Sequence, residues 1–133
     1  MIVVDTNIVV YFLIEGDRTA QARQLWQTDP GWFLPALWRH EFLNVLVSYA
    51  LHSRAPVADM TAIWRYANHI FAATTGEVDM ESALALAVEH KISAYDAQFV
   101  TLAQQAGTVL VTEDKVLLKR FPDTAVSMRQ TVQ

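Results

Sequence analysis

Short apolar runs alternate along the chain with longer stretches whose apolar residues recur every three or four positions. Ile2, Val3 and Val4 form a run that stops abruptly at Asp5-Thr6-Asn7. This reads as a buried strand followed by a helix start, because Asp, Thr and Asn all cap helix N-termini well. The first helix is expected to continue through residues 9–14 and stop near Gly16. A second is expected over 19–27, with Ala22, Leu25 and Trp26 on one side. Residues 32–34 read as a strand, 37–51 as a helix, and 57–73 as another across the break at Pro56. Residues 80–90 carry Ala83, Leu84, Ala87 and Val88 at helical spacing. A helix over 93–106 ends at Gly107, where a left-handed residue is commonly needed. Residues 109–112 read as a β-branched strand, 114–120 as a short helix closed by Pro122, and 125–128 as a last strand.

Short apolar strands alternating with helices predict an α/β fold with a parallel sheet covered on both faces. Ligands in such folds bind beyond the carboxyl ends of the strands. Asp5 and Asp114 each stand just past a predicted strand end.

The chain has 133 residues, 53% of them apolar, which is the length of one domain over residues 1–133. It contains no cysteine, so disulfide scaffolds, thiolate zinc sites and cysteine nucleophiles are excluded together. The net charge of −4 argues against a basic protein that coats nucleic acid. A bound cation can still invert the charge of a local site. The longest unbroken apolar run, residues 8–14, is far short of the ~20 needed to span a bilayer. No basic leader precedes it, so no membrane association and a cytoplasmic location are expected.

Glu41 shares a helix face with Leu37, Trp38 and Val45, and Asp96 shares one with Phe99, Val100 and Ala103. A carboxylate on an apolar face is costly to desolvate unless it is paired or bound to a cation. Structural readings exist for each acid. Glu41 fits the edge of its stripe or a pair with an arginine such as Arg39. Asp96 fits a capping box begun by Ser93. Asp5 and Asp114 fit helix N-caps. The parallel-sheet arrangement brings Asp5 and Asp114 to one sheet edge, with Asp96 at the head of the helix that leads to Asp114. Carboxylates gathered in this way repel one another unless a cation lies among them. An all-oxygen set suits Mg²⁺ or Mn²⁺, and such ions promote in-line displacement at phosphodiesters.

Other chemistries lack their residues. There is no phosphate-binding glycine loop, no G-x-S-x-G elbow, and no H-x-x-x-H spacing among His40, His52, His69 and His90. His40 is notable only for adjoining Glu41. An aspartyl-phosphate phosphatase of the haloacid-dehalogenase type wants a second aspartate two residues after the first, and Asn7 stands there. A receiver domain would need an aspartate at the end of a middle strand, which is not found.

The segments V-V-D-T-N, W-R-H-E-F-L-N-V-L, S-A-Y-D-A-Q-F-V-T-L-A and L-V-T-E-D-K, in this order, resemble the PIN domain. The likeness is strongest to the VapC-type toxins of bacterial toxin–antitoxin pairs and covers nearly the whole chain. The resemblance implies a three-layer α/β/α sandwich and a Mg²⁺- or Mn²⁺-dependent ribonuclease. It places the four family acids on Asp5, Glu41, Asp96 and Asp114, as catalytic residues and metal ligands. Asp5 and Asp96 would hold the metal directly. Asn7, Ser93 and Thr112 fall at supporting positions, and Glu113 adds a fifth acid beside Asp114. It further implies an RNA substrate cut to leave 5′-phosphate and 3′-hydroxyl ends, a cognate antitoxin, and a homodimer. Lys115, Lys119 and Arg120 are candidates for RNA phosphate contact, or a solvated helix end. Trp38, Tyr49, Trp64, Tyr66 and Phe71 are expected to pack in the core or at such an interface. A PIN-like module that binds without cleaving is the competing reading.

Overall fold

The computed structural model describes residues 1–131. Five parallel strands are ordered β3-β2-β1-β4-β5, with β1 at Ile2–Val4, β2 at Trp32–Pro35, β3 at Thr75–Gly76, β4 at Leu110–Val111 and β5 at Ala125–Val126. From β1 the chain builds outward through β2 and β3 on one side, then returns to build β4 and β5 on the other. The switch point of the sheet therefore lies between the carboxyl ends of β1 and β4, where open α/β folds leave a crevice.

Period-two alternation sorts the strand residues between two cores. Ile2, Val4, Trp32, Leu34 and Val111 face one layer, built by α1 (Thr6–Leu13), α2 (Thr19–Thr28), α3 (Trp38–His52) and α4 (Val57–Phe71). Val3 and Leu110 face the other, built mainly by α6 (Ala94–Ala106) and α7 (Lys115–Arg120). Outside α6, α5 (Met80–His90) packs through Ala83 and Ala87 against Ala97. The result is the expected α/β/α sandwich. Among the described residues, no helix is long and apolar enough to cross a membrane.

The structure adds to the sequence expectations in several details and shifts one of them. A strand at Thr75–Gly76 was not foreseen; it is two residues long and follows a turn of 3₁₀ helix at Ala72–Thr74. Gly76 is required there because a Cβ would enter the ring of Phe33 on the neighbouring strand. The last strand ends at Val126, and Met128 instead opens α8 (Met128–Thr131), buried against the first layer. Leu84 and Val88 are 65% and 71% exposed, because α5 turns its alanine pair to α6 instead. Both pairs share the i, i+4 spacing, so periodicity alone could not choose the face. Of the middle-helix aromatics, Trp38 and Phe71 are buried, Trp64 and Tyr49 are half-buried, and Tyr66 is exposed.

Candidate functional site

Asp5 follows β1 directly and caps α1, its Oδ1 accepting the Asn7 N–H at 3.4 Å. Asp114 is separated from β4 by Thr112 and Glu113 and caps α7, accepting the N–H groups of Val116 and Leu117 at 2.8 and 3.1 Å. Both acids are therefore the helix caps that their local sequence suggests. The sheet order also brings them to the same switch point. Glu41 reaches it from the first turn of α3, and Asp96 from the first turn of α6, whose N-cap Ser93 accepts the Asp96 N–H at 3.0 Å. The four acids line one cavity of about 280 Å³, together with Thr6, Asn7, Asn44 and Val45.

Two threonines fix this arrangement. The Thr112 hydroxyl donates to Asp5 Oδ2 at 2.8 Å and accepts the Asp114 N–H at 3.0 Å. The Thr6 hydroxyl donates to Glu41 Oε1 at 2.7 Å. Both threonines are buried. Thr112 and Asn7 were expected in support of the acids, whereas Thr6 and Asn44 were not. Asn44 had a readable signal, since it lies at i+3 from Glu41 and shares its face. Thr6 had only its position between Asp5 and Asn7.

The electrostatics match the crowding. Burial raises the pKa of Asp5 above the ordinary carboxylate value. The Thr112 hydroxyl opposes this, and the charge of Asp114 adds to it. Burial likewise raises Glu41, opposed by Thr6 and reinforced by Asp5 and Asp96. Asp96 is raised by burial and then by the charges of Asp114 and Asp5. Asp5, Glu41 and Asp96 are thus each raised by burial and by a neighbouring carboxylate, and perturbed acids in a cleft mark a candidate site.

The neighbouring charged residues separate from this cluster. Glu113 faces away, accepting the Met128 N–H at 3.3 Å and lying 3.8 Å from Arg18. Arg39 does not pair with Glu41; it donates to Asn68 at 2.9 Å and lies over the Trp64 ring. His40 is exposed. Lys115 and Lys119 are exposed on α7. Arg120 is already committed, donating to the carbonyls of His90 and Lys91 at the end of α5.

The donor set is entirely oxygen, the chemistry of a hard cation such as Mg²⁺ or Mn²⁺. Among the described residues, no three His, Cys, Asp or Glu side chains are spaced as a ready-made cage. A Mg²⁺ site does not need one. That ion keeps several waters and commonly takes one or two carboxylates plus substrate phosphates. The residues therefore fit an open site for a hydrated divalent cation.

The chain is 26% identical over 130 residues to Ribonuclease VapC3 of Pyrobaculum aerophilum, covering 91% of this chain and 95% of that protein. Its fold is similar to the crystal structure of PAE2754 from the same organism, with TM-score 0.76 at 22% identity over 98% of this chain and 92% of the other. A toxin–antitoxin complex from Klebsiella pneumoniae contains a similar chain, with TM-score 0.61 at 20% identity over 96% of this chain and 98% of the other. The sequence itself matches the PIN domain over residues 2–123, a span that includes all four acids and every strand but β5, and the chain belongs to the PIN domain family.

Proposed function

We propose that this protein is a Mg²⁺- or Mn²⁺-dependent endoribonuclease and the toxin of a toxin–antitoxin pair. The observation that carries the reading is the convergence of Asp5, Glu41, Asp96 and Asp114 on one cavity at the sheet's switch point. The likeness to a protein named Ribonuclease VapC3, and to a chain of a toxin–antitoxin complex, supports the ribonuclease and toxin parts. RNA, a cognate antitoxin and a second copy of the chain are the partners of this reading, and the cytoplasm is its location.

Asp5 and Asp96 would hold the metal directly, with Glu41 and Asp114 completing the acid set. A bound divalent ion supplies charge neutralisation, activation of water and stabilisation of the leaving oxygen. The chain supplies the geometry. Thr112 anchors the Asp5 carboxylate by a hydrogen bond and links it to the start of α7. Thr6 does the same for Glu41. Asn7 and Asn44 add neutral polar groups to the wall, so RNA meets hydrogen-bonding partners there besides carboxylates.

The test is cleavage of a mixed RNA pool in Mg²⁺, Mn²⁺ or EDTA, beside Asp5→Asn and Asp96→Asn. Metal-dependent cleavage absent from both variants is the expected result. Cleavage that persists in either variant refutes its assignment. Binding of Mn²⁺ with no cleavage of RNA, even from the cell that encodes the protein, would favour a binding module.

A further inference from the structure

A second pocket, of about 280 Å³, opens one helical turn from the acid cavity. The same two helices line both. On α1, Asn7 belongs to the acid cavity and Tyr11 to the second pocket; on α3, Val45 belongs to the first and Tyr49 to the second. Each pair is four residues apart, a rise of about 6 Å. That is the distance of one to two nucleotides, given ~3.4 Å per stacked nucleotide of a strand.

The far wall is the loop joining α1 to α2, which carries Glu15, Asp17 and Arg18. The loop is pinned by Thr19, whose buried hydroxyl accepts the Gly16 N–H at 2.9 Å and donates to the Ile14 carbonyl at 3.1 Å. Arg18 lies over the Tyr11 ring at 5.4 Å and reaches toward Glu113, 3.8 Å away, the residue beside Asp114. The pocket therefore combines a guanidinium–aromatic stack, a second tyrosine and two carboxylates, with Glu15 paired to Arg23 at 3.1 Å. With Arg18 shared with Glu113, Glu15 paired to Arg23, and Asp17 without a basic partner among the described residues, these groups do not suit a phosphate. They suit a base, whose flat face stacks on aromatic and guanidinium groups and whose exocyclic amine donates to a carboxylate.

We propose that this pocket is a nucleobase subsite, taking one base of single-stranded RNA beside the phosphodiester held at the acids. Tyr49 and the Arg18–Tyr11 stack form its walls, and Asp17 accepts from an amine on the base. The inference rests on the ribonuclease reading and names how that site grips its substrate.

The test uses the full chain carrying Asp96→Asn, so that RNA is not consumed, and fluorescence anisotropy with a labelled eight-nucleotide single-stranded RNA of mixed sequence. Adding Tyr49→Ala is expected to weaken binding about 5- to 150-fold, the range of one base–aromatic stack, while Tyr49→Phe retains it. Arg18→Ala, at an exposed side chain, is expected to weaken binding without lowering the melting temperature. The matching base-free ribose-phosphate oligomer should bind all variants alike. If the parent binds RNA and Tyr49→Ala and Arg18→Ala bind it equally well, the subsite is refuted and the ribonuclease reading stands. If neither this parent nor the unsubstituted chain binds RNA, both fall together.

Discussion

Thr112 and Asp5 are 107 residues apart in the chain and 2.8 Å apart in the fold, hydroxyl to carboxylate. The same hydroxyl receives the N–H of Asp114, so one buried side chain holds together the acids that follow β1 and β4. Thr112→Val keeps the shape and removes both bonds. It leaves a carboxylate oxygen and a backbone N–H without their partner, at a cost of ~1–3 kcal/mol. Urea denaturation at neutral pH should show this loss, and metal affinity should fall with it. An unchanged denaturation midpoint would mean that water replaces the hydroxyl at no cost.

Asp5, Glu41 and Asp96 all have pKa values raised by burial. The native state therefore holds protons more tightly at these sites than the unfolded chain does. By linkage, stability rises as the pH falls from neutrality toward the unfolded carboxylate values. Asp79 runs the other way: its pKa is lowered chiefly by the N–H and hydroxyl of Ser82, so its contribution is lost under stronger acid. The melting temperature of metal-free protein should accordingly be higher near about pH 5 than near about pH 8. Asp96→Asn should raise it at the higher pH and flatten the difference. A melting temperature that climbs steadily from pH 5 to pH 8 would contradict the assignment of these three acids.

If a divalent ion relieves that repulsion, it stabilises the fold by mass action, by about 2.7 kcal/mol at one hundred times its dissociation constant. Mn²⁺ should raise the melting temperature of the wild-type chain and have little effect on Asp5→Asn. Because burial and mutual repulsion favour the protonated forms of these acids and a cation favours the ionised ones, binding should also release protons as the pH is lowered. Calorimetry in two buffers of different ionisation enthalpy reads this directly. Equal heats in both buffers would remove the coupling between the metal and these carboxylates.

Much of this arrangement could be read from the residues, because the strong signals were local. The apolar runs at residues 2–4 and 109–112, each followed by a capping aspartate, place two acids at strand ends from the sequence alone. The capping and site readings of Asp5 and Asp114 turned out to be compatible, since a residue that caps a helix at a sheet edge also faces the crevice. Long-range partners were not legible in the same way. Thr6 pairs with Glu41 across 35 residues, and nothing in either segment announces the other. β3 escaped because two residues carry no period, and its requirement for glycine comes from Phe33 on a different strand. Glu113 and Asp114 look equivalent in sequence, but the turn after β4 sends one toward Arg18 and α8 and the other to the cavity.

The basic residues of α7 divide in the same manner. Arg120 donates to the carbonyls of His90 and Lys91, where Lys91 takes the left-handed conformation that ends α5. A cation there satisfies orphan carbonyls and complements the helix dipole. Arg120→Met should therefore cost ~1 kcal/mol of stability, with little effect on RNA affinity. Among the described residues, Lys115 and Lys119 have no such ties on the exposed side of α7. If they meet RNA phosphates, each change to alanine should weaken binding of all sequences alike and lower the salt slope by about one. Plotting the logarithm of the binding constant against that of salt concentration separates the cases. A reduced slope for Arg120→Met with unchanged melting would reverse the assignment and return that arginine to the RNA surface.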